Sequence, residues 1–483
     1  MISFIFSCML AMDLYQTSAV FNQNLYTWID IGTFTFHIGL LIDNLTASMM
    51  VVVTFVSLMV HIYTIGYMHD DPGYHRFFAY ISLFTFSMLS LVMSNNFLQL
   101  FFGWEAVGVM SYLLIGFWYT KESAIKANLK AFLVNRVGDL SLILGIGIIF
   151  SITGSLDYQT AFSETQSLTQ TEFKLFDTWT ITALTGACIL LFGGAMGKSA
   201  QMPLHVWLPD SMEGPTPISA LIHAATMVTA GVFLLARMSP LFELSPTALS
   251  FVLIIGATTA LFTGVLGLIQ NDIKRVIAYS TLSQLGYMVA AAGVSAYSAS
   301  LFHLMTHAFF KALLFLAAGS VIVALHHEQD IRKMGGLKSK LPITYLTSLI
   351  GSLALIGFPG FSGFFSKDAL IEAIGHANIV GSGFAYASLL IGVFITALYT
   401  FRLFFKVFHG RIEEHHSDVK ESPLSITLPL ILLAIPSVMI AWPTVGPMVF
   451  GSYFGNSIDQ PDAYQIFGYE FTSAYGFLLH AFS

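Results

Sequence analysis

Gly193-Gly194-Ala195-Met196-Gly197-Lys198-Ser199 places an ammonium group inside an apolar run, and Pro203 follows five residues later. Proline lacks the N–H that continues a helix, so the segment reads as a helix broken beside Lys198. Irregular backbone at membrane depth is tolerated where it lines a cavity rather than lipid. The stretch is a near miss to a phosphate-binding loop. That loop needs a glycine five residues before its Gly-Lys, and Phe192 stands there. Nucleotide binding is therefore rejected.

A second stretch has a similar design. Pro359-Gly360-Phe361-Ser362-Gly363 interrupts an apolar run just before Ser366-Lys367-Asp368. Two more charges sit in apolar surroundings, Glu105 and Lys274. Glu105 precedes Lys198 by 93 positions (198 − 105), and Lys274 precedes Lys367 by 93 (367 − 274). The two pairs are displaced by 169 (274 − 105). A charge in hydrocarbon is costly and by default marks function. Broken helices with charges in matched halves are the pattern of a transporter built on an internal repeat. The bland alternative is that a lysine snorkels to the interface, which suits one lysine better than two at matched positions.

Composition agrees. Of 483 residues, 55% are apolar and 10% charged, and the mean hydropathy is +0.75. A soluble protein carries about 25% charged residues. Net charge is −7 and no basic tract exists, which argues against nucleic acid as a partner. Cys8 and Cys188 form no CxxC pair, so an iron–sulfur cluster or a thiolate zinc site is excluded within this chain.

A span needs roughly 20 apolar residues. The pattern predicts an all-α polytopic membrane protein with twelve spans: 45–68, 76–94, 97–118, 130–152, 180–201, 217–239, 249–270, 272–295, 299–325, 342–358, 382–408 and 425–450. The fifth and tenth have short continuations near 203–212 and 364–376. Fragments 1–12 and 466–483 flank the set, and Asn22–Leu41 reads as an extended hairpin outside the bilayer. The expected organisation is an N-terminal part (1–75), a first five-helix unit (76–239), a second (249–408) and C-terminal spans (409–483). Five spans per unit is an odd number, so the second unit is expected to be inverted. Loops after odd spans hold Arg76, Lys121, Lys126, Lys130, Arg332, Lys333, Lys338, Lys340, Arg411 and Lys420, whereas even loops hold Lys174 and Arg237. Odd loops are therefore expected on the cytoplasmic or matrix side.

Glu105 lies in Gly103-Trp104-Glu105-Ala106-Val107-Gly108 and reads either as an ionisable switch or as a structural partner for a cation. The ninth span carries His303-Leu304-Met305-Thr306-His307-Ala308-Phe309-Phe310-Lys311. Its i, i+4, i+8 stripe steps about 6 Å per four residues. Histidine titrates near neutral pH, so the stripe suits a proton relay. A histidine pair at i,i+4 can also bind metal, but no HExxH-type acid lies between them and Lys311 would repel a cation. His223, in the sixth span, is a candidate for the same line. Arg136 and Asp139 are three apart and read equally as a structural pair. Two charges about 7 Å apart at an effective dielectric of about 20 interact by roughly 2.4 kcal/mol. Moving one charge against 100 mV costs about 2.3 kcal/mol. Moving Glu105 and Lys198 together or apart is therefore a sufficient engine for loading and releasing a proton.

These stretches, with Asn135-Arg136-Val137-Gly138-Asp139, Gly214-Pro215-Thr216-Pro217 and Asp272-Ile273-Lys274-Arg275, resemble the antiporter-like L subunit of respiratory complex I, chain 5 in mitochondria. The resemblance runs from about residue 22 to 450. It implies a proton-translocating subunit of NADH:quinone oxidoreductase in a bacterial or mitochondrial inner membrane, beside other antiporter-like subunits. It implies no cofactor here, with NADH, FMN, iron–sulfur clusters and quinone handled by partner subunits. By position it implies that Glu105, Lys198, His303, His307, Lys311, Lys367 and Asp368 carry protons, and that Lys274 is the second unit's counterpart of Glu105. The family begins with more membrane helix than 1–12 supplies and continues into a lateral helix and an anchor, so a fragment or shortened variant is expected. Multisubunit sodium/proton antiporters share the fold and give the alternative reading. A third reading is a structural member that has lost pumping.

Overall fold

In hydrocarbon every backbone N–H must find its acceptor within the segment, so the long apolar runs become helices. The computed structural model describes residues 1–17, 19–32, 35–175, 179–410, 419–469 and 473–480. Arg411, with residues 176–178, 470–472 and 481–483 of the expected outer segment and C-terminal fragment, lies outside the described residues.

Helix α1 (Ile2–Thr17) precedes an antiparallel hairpin, β1 (Phe21–Asp30) and β2 (Thr35–Ile42), paired from Phe21↔Ile42 to Asp30↔Thr35. Four helices follow: α2 (Asn44–Tyr67), α3 (Tyr74–Val92), α4 (Phe97–Ile115) and α5 (Glu122–Thr153). Asp43 starts α2 by accepting from Thr46 N at 2.9 Å, and Asn96 starts α4 by accepting from Gln99 N at 2.8 Å. A short hairpin, β3 (Glu172–Leu175) and β4 (Trp179–Thr182), leads into α6 (Ala183–Lys198). Residues 180–182, expected to open the fifth span, are thus strand. Next come α7 (Thr216–Ala224), α8 (Ala230–Arg237), α9 (Pro246–Ile269), α10 (Ile273–Ala292) and α11 (Tyr297–Ala324). The series ends with α12 (Pro342–Ile356), α13 (Ser362–His376), α14 (Ser382–Phe408) and α15 (Leu424–Met439). A 42° bend separates α15 from the helical stretch Ala441–Phe450, and two short helices follow, Ala463–Phe467 and Ala474–His480.

Among the described residues, eight helical segments are long and apolar enough to cross a membrane, and the bent pair makes a ninth. Three expected spans fall short. Helix α6 is 16 residues, α12 is 15, and α10 has the length but is more polar. These are the spans that carry Lys198, Lys367 (on the continuation α13) and Lys274. The expected sixth span is present as Thr216–Arg237, with its helix interrupted between α7 and α8.

Helix α11 runs through the middle and is buried over almost its whole length. Tyr63 of α2 donates to Leu316 O at 2.9 Å across that contact. Small residues let neighbouring helices touch backbone to backbone. A Cβ on Gly138 of α5 would lie 3.0 Å from Gly197 Cα of α6. Along α9 and α10, a Cβ on Gly256 would lie 2.4 Å from Ala290 N, and one on Gly286 2.5 Å from Ala260 N. Close approach therefore pins the helices that bear the ionisable groups.

Candidate proton path

The first cluster spans α4, α5 and α6. Glu105 contacts Arg136 Nη1 rather than Lys198. Lys198 Nζ instead lies 3.5 Å from Asp139 Oδ1, with both side chains almost fully buried. Arg136 and Asp139 are 3.8 Å apart and stand between the two expected partners. The direct Glu105–Lys198 pair is thus replaced by the row Glu105–Arg136–Asp139–Lys198. The row alternates in sign, which suits a low-dielectric setting. Trp104 Nε1 donates to Asp139 Oδ1 at 2.8 Å and holds the carboxylate. A Cβ on Gly108 would lie 2.7 Å from Lys198 Nζ, so the glycine makes the space for the ammonium. Lys198 Nζ makes no hydrogen bond to the described residues.

Helix α6 ends at Lys198 because Ser199 and the residues after it turn away; Trp207 Nε1 closes the turn on Gly197 O at 3.0 Å. Short turns at Leu204–Trp207 and Asp210–Glu213 lead back to α7. There Ser211 Oγ and His223 Nε2 are 3.1 Å apart. The His223 ring lies 5.5 Å from that of Phe315, one helical turn beyond Lys311 on α11.

The second cluster joins α10, α11, α12 and α13. The His303 and His307 rings are 6.1 Å apart. Both nitrogens of His307 are buried without a hydrogen-bond partner among the described residues. His303 is held from two sides, by Ser366 Oγ at 2.8 Å from Nδ1 and Gln284 Oε1 at 3.1 Å from Nε2. Lys311 Nζ donates to Ser280 Oγ. Lys367 Nζ donates to Leu355 O at 3.2 Å and lies 5.4 Å from the Tyr287 ring centre. Leu355 is at the end of α12, so the break between α12 and α13 supplies Lys367's acceptor. A cavity of about 20 Å³ lies between Ser280, Ser352, Leu355 and Tyr399, enough for about one water. Lys367 and Asp368 are neighbours in sequence but make no ion pair among the described residues, because adjacent helical positions face different directions.

Two expected equivalences do not follow the helices. Glu105 is the ninth residue of α4, whereas Lys274 is the second of α10. Lys198 ends the first half of its broken span; Lys367 lies within the second half of its own. Equal sequence spacing is not equal position here, because loops differ in length between the halves. Counted along the third helix of each unit, Arg136 of α5 and Lys311 of α11 are both the fifteenth residue. The sequence reading missed Trp104, Gly108 and Ser366, uncharged residues within the charged motifs, and Ser280 and Gln284, polar residues further along the span that begins at Lys274.

Residues 94–396 match the family described as NADH:quinone oxidoreductase/Mrp antiporter, and residues 28–78 match the N-terminal family of complex I chain 5. NADH-quinone oxidoreductase subunit L of Neisseria meningitidis serogroup A is 61% identical over 461 residues, covering 91% of this chain and 68% of the relative. The chain belongs to the subunit L/chain 5 family. Chain 5 of Marchantia polymorpha NADH-ubiquinone oxidoreductase is 51% identical over 445 residues, covering 91% of this chain and 66% of the relative. The chain thus spans about two thirds of the length of these family members. A chain in the Mrp complex from Dietzia sp. DQ12-45-1b has the same fold, with a TM-score of 0.80 over 99% of this chain and 51% of that one at 24% identity.

Proposed function

We propose that this chain is a proton-translocating, antiporter-like membrane subunit of NADH:quinone oxidoreductase, seated in a bacterial or mitochondrial inner membrane beside the other membrane subunits. The observation that carries the reading is the pair of clusters of buried and half-buried ionisable groups, Glu105, Arg136, Asp139 and Lys198 in one and Lys311, His307, His303 and Lys367 in the other, with Lys198 and Lys367 beside helix breaks. His223, bonded to Ser211 and one helical turn from Lys311 on the facing helix, is a further candidate for the same path. Asp368 lies beyond Lys367, toward the outer end of α13. Such a cluster transmits displacement of one charge as a change in the proton affinity of the next. NADH, FMN, iron–sulfur clusters and quinone are assigned to partner subunits, so this chain receives its driving force by contact rather than by redox chemistry of its own.

The test is Lys198→Ala in the assembled complex in inverted membrane vesicles. Acidification per NADH oxidised is expected to fall strongly while the amount of complex is unchanged. Undiminished pumping with normal assembly refutes the carrier role. The fold shared with a chain of an Mrp complex supports a second reading, a cation/proton antiporter. Sodium-driven proton exchange by the folded, isolated chain, abolished by Lys198→Ala, would select that reading instead.

A further inference from the structure

Helix α12 begins without a cap of its own. Leu341 stands at the cap position with an apolar side chain, and Pro342, the first helical residue, has no N–H. Tyr345 N bonds Leu341 O at 2.8 Å, which leaves the N–H groups of Ile343 and Thr344 without an acceptor inside the helix. Glu421 serves both, from 78 positions beyond Ile343. Its Oε2 accepts from Ile343 N at 2.8 Å and from Thr344 N at 3.3 Å, and its Oε1 accepts from Thr344 Oγ1 at 2.7 Å. The hydroxyls behind it run in one direction. Thr344 uses its one hydroxyl hydrogen on Glu421, so Ser320 Oγ of α11 donates to Thr344 Oγ1 at 2.9 Å, and Ser422 Oγ donates to Ser320 Oγ at 2.7 Å. Thr344 and Ser320 are fully buried. The start of α12 is thereby locked to α11 and to the residues that lead into α15.

The far end of α12 is where Lys367 rests. Gly357 N and Phe358 N close the helix on Ala354 O at 3.2 Å and Leu353 O at 3.0 Å. Leu355 O stays open between them, and Lys367 Nζ donates to it at 3.2 Å. Leu355 and Ser352 of α12 also border the small cavity beside Ser280, the acceptor of Lys311. A helix of 15 residues thus has a carboxylate at its first turn and a lysine amine at its last. Aligned peptide dipoles favour that arrangement, negative charge at the N-terminus and positive at the C-terminus. We infer that Glu421 is a positioning residue for Lys367: by capping α12 it fixes the carbonyl on which the lysine rests. The inference rests on the proton-carrying reading above and adds to it a residue that moves no proton itself. A helix is stiff along its axis, and α12 is about 22 Å long. The pin at its start therefore sets the position of its last carbonyls, and with them both the acceptor of Lys367 and the wall beside Ser280.

The test is Glu421→Gln in the intact complex in inverted vesicles. The amide keeps the shape but turns an NH2 toward groups that are themselves donors. Acidification per NADH oxidised is expected to fall by about threefold or more, the scale of one carboxylate at a helix terminus, with the amount of complex on native gels unchanged. A role confined to folding lowers the amount of complex and leaves acidification per NADH as in the parent; that result overturns the inference, as does a variant indistinguishable from the parent. The second arm is a charge-specific rescue. Pro342 is exposed, and Pro342→Glu places a carboxylate in the first turn of the same helix. Added to Glu421→Gln, it is expected to recover roughly half or more of the lost acidification, because a carboxylate in the first turn serves the same helix end, and Pro342→Gln is expected to recover none. Equal recovery by both, or recovery by neither, overturns the inference. If Glu421→Gln does not assemble, Thr344→Val takes its place, removing one hydroxyl bond to Glu421 at nearly constant volume. Lowered acidification per NADH then supports the inference and an undiminished ratio overturns it. A parent complex that oxidises NADH without pumping overturns the reading of the function, and the inference with it; a pumping parent with an equally pumping variant overturns the inference alone.

Discussion

Asp139→Asn is the most informative single change. The carboxylate lies 3.5 Å from Lys198 Nζ, with side-chain exposures of 5% and 1%. At that separation and an effective dielectric of about 20, the attraction is roughly 4 to 5 kcal/mol. Asparagine keeps the shape and can still accept from Trp104 Nε1, now at 2.8 Å from Asp139 Oδ1. The substitution therefore removes charge and leaves packing almost intact. A buried pair broken on one side costs about 3 to 5 kcal/mol. If only a third of that reaches the rate-limiting charge movement, transport slows about tenfold. The assay is dye quenching in inverted vesicles per NADH oxidised, with complex abundance measured on the same membranes. Asp139→Ala is the contrast: it also strands the Trp104 N–H, at a cost of about 1 to 3 kcal/mol, and is expected to lower abundance. Normal pumping by a normally assembled Asp139→Asn complex would refute the assignment of Asp139 as Lys198's electrostatic partner.

Three further outcomes are expected. Gly108→Ala places a methyl 2.7 Å from Lys198 Nζ, the movable end of a long side chain, whereas Gly363→Ala places one 1.8 Å from Ala354 O; the first should impair pumping in a folded complex and the second should reduce assembly, read on native gels. His303→Gln and Ser366→Ala should be non-additive in a double-mutant cycle on pumping, with a coupling of about 0.5 to 3 kcal/mol, because Ser366 holds His303 Nδ1 at 2.8 Å; additive effects would mark two independent sites. Arg237 bonds both oxygens of Asp43, at 2.5 and 3.0 Å, in a buried pair, so Asp43→Leu alone should cost about 3 to 5 kcal/mol of stability, measured as thermal inactivation of the complex, while Asp43→Leu with Arg237→Met should recover most of it.

The spans were legible wherever an apolar run ends against polar residues. The expected eleventh span, 382–408, coincides with α14 (Ser382–Phe408). The hairpin after α1 was legible from alternation around Gly32. The interruption of the sixth span was not, because no proline or glycine marks it. Its only signal is two hydroxyls: Thr226 Oγ1 donates to Leu221 O, and Thr229 Oγ1 donates to Thr226 O, each at 2.7 Å. They serve carbonyls that a continuous helix would have bonded. The charged residues of the site were visible because charge is rare in apolar sequence. Their pairing was not visible, since the Arg136–Asp139 spacing looks like a self-contained helical pair and gives no sign that it separates Glu105 from Lys198.

The shortfall of α6, α10 and α12 has a consequence for how the chain enters the bilayer. A segment inserts readily by itself only when its apolar length and composition suffice, and α10, with Lys274 and Arg275 in its first turn, is more polar than its neighbours. Its partner α9 has the hydropathy of a strong span. The two lie against each other through Gly256 and Gly286, with backbone atoms near contact. Helix α9 can therefore carry α10 into the membrane as a preassembled hairpin. The charges that make α10 polar thus also bear on the order in which the chain is built, and bulk at Gly256 or Gly286 should be felt first by the insertion machinery and only later by the assembled protein.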